Sequence, residues 1–212
     1  MNKEQLLLYA VTDRSWVGEY TLFQQIEQAL EGGVTIVQLR EKKLNEEEFV
    51  SEAIEVKKIC RKYGVPLIIN DNINVALKSG ADGVHVGIED MSVCEIRKRT
   101  EADFIIGATA KTVEQAKKAE NEGADYLGVG AIFPSPTKQN AIRITNKQLK
   151  EITSSVSIPA VAIGGITLEN SDEIKGGSIC GIAVVSAAFG ADNITEACRK
   201  LKIKAQSLVE KI

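Results

Sequence analysis

The chain has 212 residues, with 26 Lys and Arg against 29 Asp and Glu, and hydrophobic residues make up 44% of it. This length and composition predict a globular protein with a sizeable core and exclude a largely disordered chain. The net charge of −3 argues against a general nucleic-acid binder, which carries a strongly basic face.

The sequence gives no sign of a membrane or secreted protein. No apolar run approaches the roughly 18 residues of a membrane span, and the first residues lack the cleavage site of a secretory signal. We therefore expect a cytoplasmic protein whose partners include no membrane and no nucleic acid. The four cysteines show no paired spacing, so reduced thiols are expected, and one histidine is too few for a typical zinc site.

Short β-branched runs alternate along the chain with longer helical stretches. Strands are predicted at 6–12, 36–40, 66–71, 83–87, 105–109, 126–133, 160–165 and 182–186. Helices are predicted near 21–31, 45–63, 72–79, 91–99, 112–122, 145–155, 168–176 and 192–211. The strands are apolar nearly throughout, which is typical of a parallel sheet covered by helices on both faces.

The spacing of these elements predicts the fold class. The strand–helix units recur about every 25 residues, and eight units favour a TIM barrel, the (β/α)8 fold of the α/β class. We expect a single barrel domain over residues 1–212. An open doubly wound sheet is the alternative, and it is less favoured because no clear nucleotide fingerprint is present.

Unusual polar residues and glycines follow seven of the predicted strands. In a barrel of this kind the chemistry lies at the carboxyl ends of the strands. The seven ends carry Gln38 to Lys42, Asn70 and Asp71, His85 with Asp90, Thr109, Ser135 to Lys138, Gly164 and Gly165, and Ser186. One polar residue alone would be assigned to a solvated loop, but seven strand ends that open into one mouth predict a shared site.

The signs of the charged side chains in this mouth indicate which kind of ligand it binds. Arg40, Lys42 and Lys138 bring three cations, and Asp71 and Asp90 bring two carboxylates. Cations alone would suit a bare phosphate, whereas the mixture suits a diphosphate held through Mg²⁺. Salt bridges between the two sets are the alternative explanation.

A second anion pocket is predicted after the last two strands. Gly164 and Gly165 form a turn that lets backbone N–H groups approach a ligand closely. Barrels often bind phosphate with the loops after strands 7 and 8. Residues 135–141, which lack helical or strand periodicity, are predicted to form a mobile lid over the mouth.

Collinear stretches over nearly the whole chain resemble the thiamine-phosphate synthase family. They are residues 9–14 (YAVTDR), 38–42 (QLREK), 70–72 (NDN), 83–87 (GVHVG), 89–91 (EDM), 125–130 (DYLGVG), 137–138 (TK), 162–166 (AIGGI) and 184–187 (VVSA). The first, second and sixth stretches are specific when taken together, whereas the Gly-Gly-Ile stretch recurs in other phosphate-binding barrels.

The resemblance implies a transferase that joins 4-amino-2-methyl-5-hydroxymethylpyrimidine diphosphate to a thiazole phosphate, with or without a carboxyl group, through Mg²⁺-assisted loss of diphosphate. It implies that Asp71 and Asp90 hold one Mg²⁺ per active site, and that Arg40, Lys42 and Lys138 are catalytic. The implied pyrimidine-diphosphate contacts are Gln38, Leu39, Arg40, Glu41, Lys42, Asn70, Thr109 and Lys138. The implied thiazole-phosphate contacts are Ser135, Pro136, Thr137, Gly165, Val185 and Ser186.

This reaction agrees with the absence of an evident general base in the sequence. Loss of diphosphate from an electron-rich aminopyrimidine gives a stabilised methylene cation, and the thiazole nitrogen that captures it carries no proton. Catalysis then depends on neutralising the leaving group and aligning the two small-molecule substrates. The oligomeric state is left open, a homo-oligomer included.

The sequence departs from the family pattern at several positions. Ile88 stands where the family usually has Gln, while Thr109 and Ser135 replace Ser and Thr and keep a hydroxyl. The related thiazole tautomerase has a catalytic His where this chain has Lys111, which disfavours that alternative. A non-catalytic thiamine-pathway regulator is a second alternative. His85 is interpreted as a hydrogen-bonded barrel residue rather than a catalyst.

Overall fold

Eight parallel strands close into a barrel in which neighbours in the chain are neighbours in space. The computed structural model describes residues 1–135 and 142–209. Because the first strand pairs with the eighth, the barrel prediction is confirmed and the open sheet is excluded. The strands are β1 (Leu8–Val11), β2 (Ile36–Leu39), β3 (Leu67–Asn70), β4 (Gly83–Val86), β5 (Ile105–Ala110), β6 (Tyr126–Gly130), β7 (Ala160–Ile163) and β8 (Gly181–Val184).

Helices surround the barrel, and the sequence marks where they begin. Thr21, Asn45 and Thr145 each cap a helix with a reciprocal bond to the third helical residue. The described helices include none that is long and apolar enough to cross a membrane. They are α1 (Leu22–Glu31), α2 (Glu46–Lys62), α3 (Ile73–Ser79), α4 (Val93–Arg97), α5 (Val113–Asn121), α6 (Asn146–Thr153), α7 (Ser186–Phe189) and α8 (Ile194–Leu208).

Several elements differ from the predictions, among them the helix Ser186–Phe189, which the sequence analysis does not predict. The first strand was predicted from residue 6, but Lys3–Leu6 form a short 3₁₀ helix that the Asn2 side chain caps. The helix predicted at 168–176 is reduced to a 3₁₀ turn, Ser171–Ile174, and Gly176 just beyond it has a left-handed φ of 78°. The sixth strand ends at Gly130 rather than at residue 133.

Side chains alternate along each strand between two layers. Those that point outward, such as Leu8 and Val37, pack against the helices. Those that point inward, such as Tyr9 and Ile68, fill the barrel. This period of two decides which residues near the carboxyl ends of the strands face the mouth.

Close contact between β8 and the start of β1 gives a test of the barrel closure. A Cβ at Gly181 would overlap the backbone carbonyl oxygens of Leu6 and Leu7. We expect Gly181→Ala to lower the free energy of unfolding by about 2–3 kcal/mol, because the backbone of Leu6 and Leu7, which leads directly into β1, cannot move aside. Denaturant unfolding measures this, with Gly18→Ala as the control, since a Cβ there meets nothing within 4 Å. Equal stability of the two variants would contradict this account of the closure.

Candidate active site

A cavity at the carboxyl ends of the strands has one polar and one apolar half. The polar half comes from β2 to β5 and the residues that follow them, and the apolar half from the ends of β6 to β8 and β1. The lining residues are Gln38, Arg40, Asn70, His85, Thr109 and Lys111 on the polar side, and Val11, Gly130, Ala131, Ser135, Ile163, Gly164 and Val185 on the other. Such a cavity suits a flat heteroaromatic ligand with a polar edge.

A chain of hydrogen bonds crosses the barrel below this cavity. The Gln38 amide nitrogen donates to Tyr9 Oη at 2.7 Å, and Tyr9 Oη lies 2.7 Å from Tyr126 Oη. His85 joins the chain through Nδ1, 3.1 Å from Tyr126 Oη, and through Nε2, 3.1 Å from Thr109 Oγ1. Both ring nitrogens of His85 are therefore bonded, which confirms that it is a satisfied barrel residue.

Burial keeps these groups uncharged. It lowers the pKa of His85 to about 4 despite the opposing effect of Asp90, so the imidazole is neutral at physiological pH. Burial also raises the pKa of Tyr9 and of Tyr126 above the ordinary value. None of the three groups is poised to exchange a proton with a substrate near neutral pH.

Two glycines leave the space that His85 and Tyr126 occupy. A Cβ at Gly107 on β5 would overlap the Tyr126 ring, and a Cβ at Gly128 on β6 would lie 3.0 Å from His85 Cε1. Both glycines are inward positions of their strands, where a side chain would otherwise fill the barrel. The absence of side chains at these two positions therefore makes room for the buried polar network.

Arg40 is held at the rim by the end of β1. Its guanidinium pairs with Asp13 at 2.6 Å, and its backbone N–H donates to Thr12 Oγ1 at 2.9 Å. Asp13 is itself fixed, because its carboxylate accepts the Ser15 N–H at 2.9 Å. Its pKa is lowered, since these hydrogen bonds and the nearby Arg40 charge outweigh the opposing effect of burial. Arg40 is thereby pre-positioned on the polar side of the cavity.

Two of the predicted contact residues at the end of β2 and just after it point away from the cavity. Leu39 is an outward position, fully buried against the helices, so it can offer a ligand only its main chain. Glu41 is also buried and accepts Arg14 Nε at 2.9 Å, and Arg14 pairs in addition with Glu52 on α2. Burial, then repulsion from Glu41, raises the pKa of Glu52 to about 7. This cluster anchors the segment that carries Arg40 and Lys42.

The structure brings Lys42, Asp71 and Asp90 together at the rim. Lys42 Nζ lies 2.6 Å from Asp71 Oδ2, and the Asp90 carboxylate is close enough for both Asp71 and Lys42 to act on its charge. Partial burial, followed by the nearby Asp71 carboxylate, raises the pKa of Asp90 despite its bond from the Gly87 N–H at 2.7 Å. The salt bridge considered from the sequence is therefore present, together with a close pair of carboxylates.

The backbone of Asp71 makes this pairing reachable. Its φ of 62° lies in the left-handed region, which Asp tolerates better than most residues. The alternation of side chains along β3 ends at Asn70, and the Asp71 side chain lies at the rim. There the Asn70 amide nitrogen donates to Asp71 Oδ1 at 2.8 Å. Without this turn, Asp71 would follow Ile69 toward the helix layer.

The donor set fits a magnesium ion that shares a substrate. Within residues 1–135 and 142–209, no group of three or more His, Cys, Asp or Glu side chains could hold a metal by itself. Mg²⁺ commonly binds one or two carboxylates and takes its remaining ligands from phosphate oxygens and water. Asp71 and Asp90, two close carboxylates beside a lysine, supply such a set.

The ends of β7 and β8 lie across the cavity from these charges. Val185 and Gly164 line the cavity, and Ser186 begins α7, whose first N–H groups have no acceptor within the helix. Gly165 has a φ of 65°, and a Cβ there would overlap the carbonyl oxygen of Pro134. The glycine is therefore required by the packing of the loop after β6, not only by close approach of a ligand.

The remaining residues singled out from the sequence differ in where they lie relative to the cavity. Pro136, Thr137, Lys138 and the rest of the predicted lid after Ser135 lie outside the described residues, whereas Ser135 lines the cavity. Lys111, at the position of the tautomerase histidine, also lines the cavity. Ile88 is 48% exposed beside the rim, away from that lining.

Sequence reasoning assigned no function to Asp13, Tyr9 or Tyr126. Asp13 directly follows Thr12 at the end of β1, so its position after a strand was a usable signal. Tyr9 and Tyr126 are inward positions by the period of two, and buried tyrosines need partners for their hydroxyls. The alternation within the strands would have shown both.

Comparisons with known proteins agree on one family. Residues 8–188 match a family model described as thiamine monophosphate synthase. The chain is 50% identical over 193 residues to a thiamine-phosphate synthase of Methanobrevibacter smithii, covering 91% of this chain and 92% of that one. It is 43% identical over 201 residues to a thiamine-phosphate synthase of Clostridium botulinum, covering 95% and 94%. A solved thiamine phosphate pyrophosphorylase of Pyrococcus furiosus superposes with a TM-score of 0.89 at 35% identity, covering 98% and 99%.

The effect of Asp90 on thermal stability tests its proximity to Asp71 and its predicted role in metal binding. Asp90→Asn keeps an acceptor for the Gly87 N–H but removes the charge that Asp71 repels, so we expect the melting temperature without metal to rise by about 2 °C. The rise that Mg²⁺ and diphosphate produce together in the native protein should disappear, because ligand binding is lost.

Scanning calorimetry with and without Mg²⁺ and diphosphate measures both effects. Asp103→Asn is the control, because Asp103 is an exposed carboxylate away from the rim. An undiminished response of Asp90→Asn to Mg²⁺ and diphosphate would contradict the assignment of this residue to the metal.

Proposed function

The chain belongs to the thiamine monophosphate synthase family, and we propose that its cavity forms thiamine phosphate by displacement of diphosphate from a pyrimidine-methyl diphosphate. Thiamine-phosphate synthesis, a group transfer, is the activity of the enzyme. The proposal concerns how this chain performs it: which residues receive the diphosphate, which hold Mg²⁺, and where each ring lies.

The electrostatic coupling of Asp71 and Asp90 beside Lys42 carries the proposal. Two carboxylates held together at the rim repel each other, and the pKa of Asp90 is raised by its partial burial and this repulsion. Such a pair has no stabilising role by itself, but it is suited to a divalent cation. Because Lys42 and Arg40 lie at the same rim, the anion that accompanies the cation is best explained as a diphosphate.

Departure of the diphosphate is the step that the rim residues assist. The bond between the methylene carbon of the pyrimidine and the diphosphate oxygen breaks, and the electron pair leaves with the diphosphate. Arg40 and Lys42 stabilise the negative charge that grows there, and Asp13 keeps the Arg40 guanidinium oriented. Mg²⁺, when bound to Asp71 and Asp90, would neutralise diphosphate oxygens that the side chains alone leave unpaired.

The two halves of the cavity suit the two partners. The polar half, with Gln38, Asn70 and Thr109, offers hydrogen bonds to the edge of a pyrimidine. The apolar half, with Ile163 and Val185, suits the thiazole ring, and its phosphate would extend toward the loops after β7 and β8. The thiazole nitrogen then attacks the methylene carbon, and no proton has to be removed.

The buried groups next to the cavity agree with a reaction that needs no general base. His85 is neutral and both of its nitrogens are engaged, so it is not arranged to take a proton from a substrate. Lys111 replaces the histidine on which the tautomerase depends. A regulator without turnover would not need a repelling pair of carboxylates beside two cations.

One incubation separates the three functions. With the pyrimidine diphosphate, thiazole phosphate and Mg²⁺, we expect stoichiometric release of diphosphate and formation of thiamine phosphate, measured by coupled phosphate assay and mass spectrometry. A tautomerase would isomerise a thiazole carboxylate without the pyrimidine, and a regulator would bind without product. Either of those results in place of diphosphate release would refute the proposal.

The metal assignment is tested by Asp71→Asn. We expect turnover to fall about 100-fold, because the charge that binds the cation next to the leaving group is lost. The fold should persist, since Asn tolerates the left-handed backbone of this position. Asp103→Asn is the matched control and should turn over as the native enzyme does. Full activity of Asp71→Asn in the presence of a chelator would show that the carboxylate does not act through a metal.

A further inference from the structure

The buried hydrogen-bond chain beneath the cavity begins and ends at residues that line it. Gln38 on β2 and Thr109 on β5 both line the polar half, and Tyr9, Tyr126 and His85 connect them through the barrel. Each connecting side chain is nearly inaccessible, with 1%, 0% and 7% of its surface exposed. Each of their polar protons therefore needs an acceptor inside the protein.

The direction of the chain follows from its first bond. The Gln38 amide nitrogen carries only donor hydrogens, so it donates to Tyr9 Oη. Among the described residues, the acceptor left for the Tyr9 hydroxyl proton is Tyr126 Oη at 2.7 Å. If Tyr126 donated to Tyr9 instead, the Tyr9 proton would be buried without an acceptor.

The same reasoning fixes the tautomer of the histidine. Tyr126 accepts from Tyr9, so its own proton goes to His85 Nδ1 at 3.1 Å, which must be unprotonated. A neutral imidazole then carries its hydrogen on Nε2 and donates it to Thr109 Oγ1 at 3.1 Å. The Thr109 hydroxyl has accepted this bond, and its own proton is available to a ligand in the cavity.

We propose that Tyr9, Tyr126 and His85 are positioning residues that make Thr109 a hydrogen-bond donor, and the Gln38 amide oxygen an acceptor, toward the substrate ring. The inference deepens the proposed function, on which its choice of substrate depends. An aminopyrimidine presents this complement on one edge, with an acceptor at a ring nitrogen and a donor at the amino group. The oxo analogue presents N–H and C=O at the same two atoms, which reverses the match.

The histidine gives a direct readout that does not depend on activity. His85 is the single histidine of the chain, so protein labelled with ¹⁵N-histidine, made without a histidine tag, gives one pair of imidazole signals. In the ligand-free enzyme we expect a pyridine-type signal for Nδ1 and a pyrrole-type signal for Nε2. The reversed pattern, or two averaged signals, would overturn the proposal, because the chain would then run from Thr109 to Gln38 or have no fixed direction.

Two tyrosine variants separate positioning from packing. Tyr126→Phe and Tyr9→Phe each remove one hydroxyl from the same 2.7 Å contact, but only Tyr126 bonds to His85. We expect Tyr126→Phe to mix the two tautomers and to raise the KM of the pyrimidine diphosphate about 10-fold, with the KM of thiazole phosphate unchanged. Tyr9→Phe should keep the Nε2–H tautomer. Identical imidazole spectra for the two variants would show that the hydroxyls serve packing alone.

Substitution of Thr109 tests the end of the hydrogen-bond network that faces the cavity. Thr109→Ser keeps the hydroxyl and should retain the native preference for the amino over the oxo pyrimidine. Thr109→Val has nearly the same shape without the hydroxyl, and it should lose about 10-fold of that preference. An unchanged preference in Thr109→Val would refute the donor role. If no pyrimidine diphosphate were turned over at all, the proposed function would fail, while the imidazole spectrum would still report the direction of the chain.

Discussion

The interior of an eight-stranded barrel has to be filled, and the way this chain fills it determines its active site. Gly107 and Gly128 leave the space that His85 and Tyr126 occupy. Polar side chains at that depth are stable only when every donor and acceptor is paired. The network from Gln38 to Thr109 meets this requirement, and it thereby holds two lining residues of the cavity in fixed orientations.

In contrast to the paired groups in the barrel, the rim holds charged groups in an arrangement that costs stability. Asp71 and Asp90 are held close together although they repel, and Asp71 adopts a left-handed backbone to reach the rim. Functional sites commonly keep such local strain because the surrounding structure enforces it. Here the strands β3 and β4, which pair in register at Asn70 and His85, set the distance between the loops that carry the two carboxylates.

Much of the fold could be predicted from the sequence, because parallel strands buried on both faces are apolar and their ends are polar. The eight strands and the carboxyl-end location of Arg40, Lys42, Asn70 and Asp71 follow from that pattern. The alternation of side chains along a strand further shows which residues face the cavity. Leu39 and Arg40 are adjacent, yet Leu39 packs against the helices and Arg40 lines the cavity. The contacts between strands, such as Asp13 with Arg40, depend on tertiary distances that no single segment encodes.

In the proposed mechanism, the buried network and the charged rim act on different parts of one substrate. The rim can stabilise a departing diphosphate of any organic group, since charges at a few ångströms do not distinguish one ring from another. Buried neutral donors and acceptors do distinguish them, because a mismatched ring leaves a buried polar group unpaired. The proposal therefore assigns selection of the ring to the barrel interior and activation of the leaving group to the loops. This division fits the position of the buried hydrogen-bond network directly beneath the cavity.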